Sequence, residues 1–230
     1  MVISDEYRYI FVELPFTAST AISRELREHY AGKRILHKHS YYSDFLKIAS
    51  ADQKRYFAFS GVRNPLDETV SRFVKLKTDP GNEYSDPEPW VSRTALRRFR
   101  WVQQNDASFE RYFLKFFHLP SETWSSLDHK RLDYVYRLES VAEDFSKILN
   151  LIGIAPLRPL PVIHRTEGKD GWKSYYTPRT HQRAGFVFGP RMEEWGYEFP
   201  EEWHVGPIRW PARAIYGAKA LGKNSYRRLR

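Results

Sequence analysis

Tyr7-Arg-Tyr-Ile-Phe-Val-Glu-Leu14, followed at once by Pro15-Phe-Thr-Ala-Ser-Thr20, is the stretch that decides the fold. Its first eight residues are short, β-branched and aromatic, and Pro15 stops them, which predicts a buried strand. A helix should follow the turn: Ile22, Leu26 and Tyr30 recur every four residues on one face, Arg24, Glu25, Arg27 and Glu28 lie mostly elsewhere, and Gly32 marks the exit. The same strand-turn-helix unit returns twice. Tyr56-Phe-Ala-Phe-Ser-Gly-Val-Arg63 leads into Asn64 as helix cap, Pro65 in the first helical position, and Asp67 and Glu68 in the first turn, where the helix dipole favours acids. Asp133-Tyr-Val-Tyr-Arg-Leu138 leads into Ser140-Val-Ala-Glu143, which reads as a capping box opening a helix to about Leu151, with Gly153 at its end. Between them, Thr78–Pro89 carries three prolines and reads as a loop, and two helical stretches are expected near Arg93–Gln104 and Ser108–Phe117. Strands alternating with helices imply an α/β fold whose central, mainly parallel sheet is flanked by helices on both faces.

A chain of 230 residues, 41% apolar and 16% aromatic, can bury one sizeable core, which excludes a disordered tail protein. No internal repeat or linker interrupts it, so a single domain over residues 1–207 with a basic tail over 208–230 is expected. The net charge of +9 resembles a nucleic-acid signal until it is located. Seven of the 37 basic residues and none of the 28 acidic ones fall from Ile208 onward, leaving 30 against 28 in residues 1–207. The body is nearly neutral, the tail reads as a solvated, partly disordered arm, and no nucleic-acid partner is expected. Without cysteine there is no disulfide, thiolate nucleophile or Cys-ligated zinc. No apolar run approaches the roughly 18 to 20 residues that span a bilayer, and the start lacks a secretory pattern, so a cytoplasmic protein is expected. Nothing in the sequence sets an oligomeric state.

In an open parallel sheet, ligands bind beyond the carboxyl ends of the strands, where turns present backbone N–H groups and positive helix ends. Thr17-Ala-Ser-Thr20 stacks three hydroxyls onto such a helix start, a composition suited to an anionic phosphate as well as to plain capping. The Walker A pattern is absent, which argues against ATP hydrolysis by that route. The second turn ends its strand with Arg63 and places Ser71 eight residues on, nearly on the same helix face; a guanidinium and a hydroxyl can grip a second phosphate. Two such turns point to a ligand with two separated phosphates.

These residues resemble the sulfotransferases that use 3′-phosphoadenosine 5′-phosphosulfate. In that family the loop holding the 5′-phosphosulfate reads P-K-T followed by small and hydroxyl residues, similar to Pro15-Phe-Thr-Ala-Ser-Thr-Ala21. The 3′-phosphate segment reads R-[DN]-P with a Ser eight after the Arg, as Arg63-Asn64-Pro65 and Ser71 do. His37-Lys-His-Ser-Tyr-Tyr-Ser-Asp-Phe45 resembles the H-x-H segment of the uronosyl 2-O-sulfotransferases, whose loop also carries T-A-S-T. Tyr134-Val-Tyr-Arg-Leu-Glu139 resembles the family's strand with R-x-E, and Trp172-Lys-Ser-Tyr-Tyr-Thr177 with Glu194-Trp-Gly-Tyr197 resembles its C-terminal end. The resemblance covers residues 7–199 in order and implies the three-layer, P-loop-NTPase-like sulfotransferase fold.

It also implies roles. The donor would be bound by Phe16, Thr17, Ala18, Ser19, Thr20, Ala21, Arg63 and Ser71, and 3′-phosphoadenosine 5′-phosphate would be the product. Sulfuryl would pass in line to a hydroxyl of a carbohydrate or sugar-bearing acceptor, with His39 as the base and Glu13 as the second candidate. His37 beside His39 leaves a two-His metal site as a rival, for which no third ligand is evident, and no metal is expected. Arg137 and Glu139 read as a structural pair at a strand end, and His164-Arg-Thr166 stands where the family has an Asn-x-Ser/Thr turn. Trp90, Trp101 and the Arg93, Arg97, Arg98, Arg100 cluster are either ordinary surface or faces for a sugar or an acidic acceptor. The family's eukaryotic members are Golgi-anchored, so a bacterial or viral cytoplasmic origin fits this chain. One departure matters: Phe16 stands where the loop has Lys. Either Lys38, Lys33 or Arg24 supplies the missing cation, or the chain is a catalytically impaired protein that binds nucleotide or glycan.

Overall fold

Along the chain the elements run β1 (Val2–Ser4), β2 (Tyr9–Phe11), α1 (Ser19–His29), β3 (Lys33–Arg34), α2 (Tyr42–Ile48), β4 (Phe57–Val62), α3 (Pro65–Thr78), α4 (Arg93–Gln104), α5 (Phe109–Phe116), β5 (Tyr134–Arg137), α6 (Val141–Leu151), α7 (Pro178–Glu194) and α8 (Trp210–Arg228). They come from a computed structural model describing residues 1–88, 91–120, 128–161 and 171–228. The chain divides into two compact units, Met1–Arg63 with Thr123–Arg165, and Asn64–Glu122 with Thr166–Arg230.

The first unit is the sheet, in the order β3-β1-β2-β4-β5. β4 carries no charged residue, is the longest strand, and pairs in parallel with β2 on one side and β5 on the other. β1 pairs antiparallel with both β2 and β3, so it alone runs against the other four. Side chains alternate between faces along each strand, and both faces are covered. Tyr9, Phe11, Phe59 and Tyr136 pack against Ile22 and Leu26 of α1, Tyr30 at its C-cap, and Phe145, Ile148 and Leu149 of α6. On the other face Ile10, Val12 and Ala58 meet Tyr42 and Phe45 of α2. Each fully buried side chain of this size contributes roughly 1.5–3 kcal/mol.

The second unit is helical. Leu66, Val70 and Phe73 of α3, Phe109, Tyr112 and Phe113 of α5, and Ala184, Val187 and Phe188 of α7 form its core with Trp203. Asn64 caps α3 as expected, its Oδ1 accepting from Leu66 N at 2.9 Å. Glu68 is buried against Arg191 (3.0 Å) and Arg72 (2.7 Å). Burial opposes its ionisation, yet the two guanidiniums pull its pKa down to about 2.

Four differences from the sequence expectations have local causes. The strand expected over Tyr7–Leu14 starts at Tyr9, because Tyr7 and Arg8 belong to the β1–β2 turn, with Arg8 at φ 55°. β1 and β3 are too short to show a pattern. The capping box at Ser140 does not form: the Ser140 hydroxyl donates to Asp144 Oδ2 at 2.7 Å and no side chain caps α6. The segment expected as a disordered arm contains α8, held to α7 by a bidentate Arg213–Glu193 pair (2.9 and 2.8 Å) and by Tyr216 to Glu194.

Candidate active site

The Pro15–Thr20 stretch follows shortly after β2 ends at Phe11. Val12 N donates to Phe59 O at 2.9 Å and Ser60 Oγ donates to Val12 O at 2.7 Å, so the chain entering the loop is clamped to β4. Pro15–Ala18 then form a turn in which Phe16 (φ 66°) and Ala18 (φ 57°) are both left-handed. Non-glycine residues resist that conformation, at about 1–3 kcal/mol each, and persist in it only when neighbours hold them. Two contacts do so. The Thr17 hydroxyl donates to Leu14 O at 2.9 Å, and the buried Tyr136 hydroxyl donates to Thr17 O at 2.7 Å. Tyr136 reaches the loop because Gly61, its partner in the β4–β5 register, has no side chain: a Cβ there would lie 2.2 Å from the Tyr136 ring. Burial pushes the Tyr136 phenol far up, so it stays a donor.

This curled backbone is of the kind whose N–H groups cradle anions. It runs into α1, which starts at Ala18 with no side-chain cap and no acid in its first turn. The first-turn N–H groups and the positive helix end therefore suit a phosphate or sulfate at this point. Arg63, directly after β4, brings a guanidinium to the same loop, Nη1 donating to Phe16 O at 3.4 Å.

His39 stands on the other side. Its Nδ1 lies 2.8 Å from Glu13 O; a carbonyl only accepts, so Nδ1 carries the proton and Nε2 is the basic nitrogen. Burial lowers its pKa below the ordinary imidazole value, the carbonyl bond partly offsets this, and the neighbouring Lys38 lowers it further. His39 also has a left-handed backbone, φ 67°. Lys38 Nζ lies 3.0 Å from Thr20 Oγ1 of the loop. The Glu13 carboxylate is spoken for, buried against the Met1 ammonium at 2.5 Å.

Thus the first unit brings together Glu13, Phe16, Thr17, Ala18, Ser19, Thr20, Ala21, His39 and Arg63, with Lys38 added. Ser71 belongs to the second unit, buried on α3 at 1% exposure. His37 does not share a strand face with His39: Ser40 N donates to His37 O at 3.1 Å, closing a turn, and His37 is exposed. Among the described residues no three His, Asp or Glu side chains group as metal ligands. Arg24 pairs with Glu28 at 3.7 Å and Lys33 is exposed on β3. Trp101 is half-buried, with Arg111 and Lys115 over its ring at 5.9 and 5.4 Å. Arg93, Arg97, Arg98 and Arg100 lie on α4, while Trp90 and His164–Thr166 fall outside the described residues. Sequence reasoning missed Tyr136 and Gly61, because only the β4–β5 register makes them neighbours of the loop.

No described helix is long and apolar enough to cross a membrane. No curated protein and no solved structure matches the chain. A family model described as the sulfotransferase family matches residues 1–188. That span contains the Pro15–Ala18 turn, Arg63 and His39, and the chain belongs to the sulfotransferase family, as a transferase of sulfuryl groups.

Proposed function

We propose that this sulfotransferase takes its sulfuryl group from 3′-phosphoadenosine 5′-phosphosulfate and passes it to a hydroxyl of a carbohydrate or sugar-bearing acceptor, with His39 as the base. The observation that carries the reading is the His39 Nδ1 contact with Glu13 O at 2.8 Å, which leaves Nε2 as the proton acceptor on a histidine held to the entrance of the loop. The donor supplies the sulfuryl group and departs as 3′-phosphoadenosine 5′-phosphate.

The protein's own contribution is positioning and charge. The loop backbone of Phe16–Thr20 and the first turn of α1 hold the 5′ side, and the Arg63 guanidinium takes the 3′-phosphate. His39 Nε2 receives the acceptor hydroxyl proton as the oxygen attacks sulfur. A lowered pKa keeps His39 neutral near pH 7, ready to accept. Glu13 acts through its main-chain oxygen, which fixes the His39 tautomer, while its carboxylate is held in the Met1 pair. The saccharide class of the acceptor is supported by the resemblance of His37–Phe45 to the uronosyl 2-O-sulfotransferases.

Calorimetric titration with 3′-phosphoadenosine 5′-phosphate tests the donor, with 5′-AMP as the control lacking the 3′-phosphate. Binding should need both the 3′-phosphate and Arg63, with Arg63→Ala weakening it by about 10- to 100-fold. Equal binding of the two nucleotides, or an indifferent Arg63→Ala, refutes the assignment. Sulfuryl transfer to a panel of saccharides against phenols and peptides then tests the acceptor class.

A further inference from the structure

The loop of this sulfotransferase carries Phe16 where the resembling loops carry Lys, and its backbone is held by Tyr136 and Thr17. A loop that gathers an anion without a side-chain cation would leave the charge on the departing phosphate to backbone dipoles alone. Of the three cations the sequence offers nearby, Arg24 lies against Glu28 at 3.7 Å, and Lys33 is an exposed residue of the edge strand β3. Lys38 is different. Its ammonium sits 3.0 Å from the Thr20 hydroxyl, in the first turn of α1, and its side chain reaches across 18 residues of sequence to do so.

The position of Lys38 follows from the backbone. Leu36 (φ 58°) and His39 (φ 67°) are both left-handed, and Ser40 N closes the turn onto His37 O at 3.1 Å. This turn sends consecutive residues to two sides of the loop: His39 to the Glu13 carbonyl, Lys38 to Thr20. An exposed ammonium ordinarily stays in water, since a lone hydroxyl offers it little. Its placement on the hydroxyl of an uncapped helix start fits a cation shared with an anion bound there.

We propose that Lys38 is the catalytic cation that stands in for the missing loop lysine, contacting the 5′-phosphate of the donor from outside the loop. This rests on the donor reading above. In the transfer, the bond between sulfur and the bridging phosphate oxygen breaks as the bond between sulfur and the acceptor oxygen forms. The electron pair stays on the phosphate oxygen, the acceptor proton goes to His39 Nε2, and Lys38 remains protonated throughout, lowering the energy of the phosphate charge as it develops. Lys38 and His39, adjacent in sequence, would thus serve the leaving group and the nucleophile respectively.

The test is a comparison of two ligands on the whole chain. For wild type, Lys38→Ala, and Lys38→Ala with Phe16→Lys, the affinities of 3′-phosphoadenosine 5′-phosphate and of adenosine 3′-phosphate are measured by calorimetry. The ratio of the two isolates the grip on the 5′-phosphate. Lys38→Ala should reduce that ratio by roughly 10- to 100-fold while leaving adenosine 3′-phosphate binding unchanged, and Phe16→Lys in the same chain should restore most of it. Turnover should fall with the ratio and return with it. An unchanged ratio in Lys38→Ala, on a wild type that binds the bisphosphate, overturns the role of Lys38 and leaves the donor reading standing. Equal loss for both ligands assigns Lys38 to general attraction or folding, and also overturns it. A wild type that binds neither nucleotide overturns the donor reading and this inference together.

Discussion

Replacing His39 by asparagine separates its chemistry from its structural role. The residue does two things: Nδ1–H donates to Glu13 O at 2.8 Å, and the backbone turns through φ 67°. Asparagine preserves both, because its amide nitrogen occupies the place of Nδ1 and it is among the residues most at home in the left-handed region. It lacks the basic Nε2. His39→Asn should therefore keep its melting temperature within about 2–4 °C of wild type, the shift that roughly 1 kcal/mol produces in a chain of this size. Affinity for 3′-phosphoadenosine 5′-phosphate should change less than about threefold, since a shift of 1.4 kcal/mol is needed for tenfold. The turnover number should fall by about 10²–10⁴, equivalent to roughly 3–5 kcal/mol of barrier. His39→Ala, in contrast, also leaves the Glu13 carbonyl without its donor, a further cost of roughly 1–2 kcal/mol in stability. The assay pairs thermal melting and calorimetry with initial rates at saturating donor. A folded, nucleotide-binding His39→Asn that turns over within tenfold of wild type would refute the assignment of His39 as base.

The remaining predictions concern the supports of the site and the buried charges. With His39 lowered below 6.5 and active only when neutral, the acid limb of the kcat/KM profile should have its midpoint below 6.5, and Lys38→Ala should move it upward by removing a like charge; a midpoint above 6.5 contradicts the burial argument. Gly61→Ala drives a Cβ to 2.2 Å from the Tyr136 ring and should cost about 1–3 kcal/mol, breaking the hydroxyl contact with Thr17 O. Tyr136→Phe should weaken nucleotide binding in the same way, and because the two residues touch, the double variant should lose less than the sum of the singles; strict additivity in chemical denaturation would show the contact to be unimportant. Glu68 has its pKa depressed from 4.5 to about 2, so its stabilising contribution is complete above pH 4.5 and fades as pH falls toward 2. Glu68→Gln takes the carboxylate away from Arg191 and Arg72 and should lower stability at pH 7, by a difference that shrinks in denaturation curves taken toward pH 2.

Periodicity long enough to repeat was legible in the sequence. The expected helix Arg93–Gln104 coincides with α4, α5 differs from its expected bounds by one residue at each end, and Ile22 and Leu26 of α1 are buried together with Tyr30 at its C-cap. Elements without room for a period escaped: β1 has three residues, β3 two, and α2 seven. In α8 the charge pattern hid the element, since seven basic residues without acids read as a solvated arm, although Ala212, Ala214, Ala218 and Ala220 favour helix. The turn and helix start after β2 were readable because Pro15 and the small and hydroxyl residues that follow it are signals local to the sequence. Their supports were not, because they follow from strand order.

That division between loop and supports bears on why a sulfotransferase can lack the loop lysine. The conformation of Pro15–Ala18 depends on main-chain contacts: Tyr136 on the Thr17 carbonyl, Thr17 on the Leu14 carbonyl, and Arg63 on the Phe16 carbonyl. None of these uses the side chain at position 16. If the loop holds an anion as proposed, these three contacts support it without calling on the side chain at position 16, and a charge is what would have to be supplied from elsewhere. A charge acts through distance rather than through covalent continuity with the loop, so any segment that can place an ammonium at the start of α1 will serve. The turn carrying Lys38 and His39 was already bound to the loop's entrance through the Glu13 carbonyl. On the proposal that His39 is the base and Lys38 the cation, a lysine beside His39 needs no new anchor to reach Thr20, and Phe16 is accounted for as a relocation of the cation within one site.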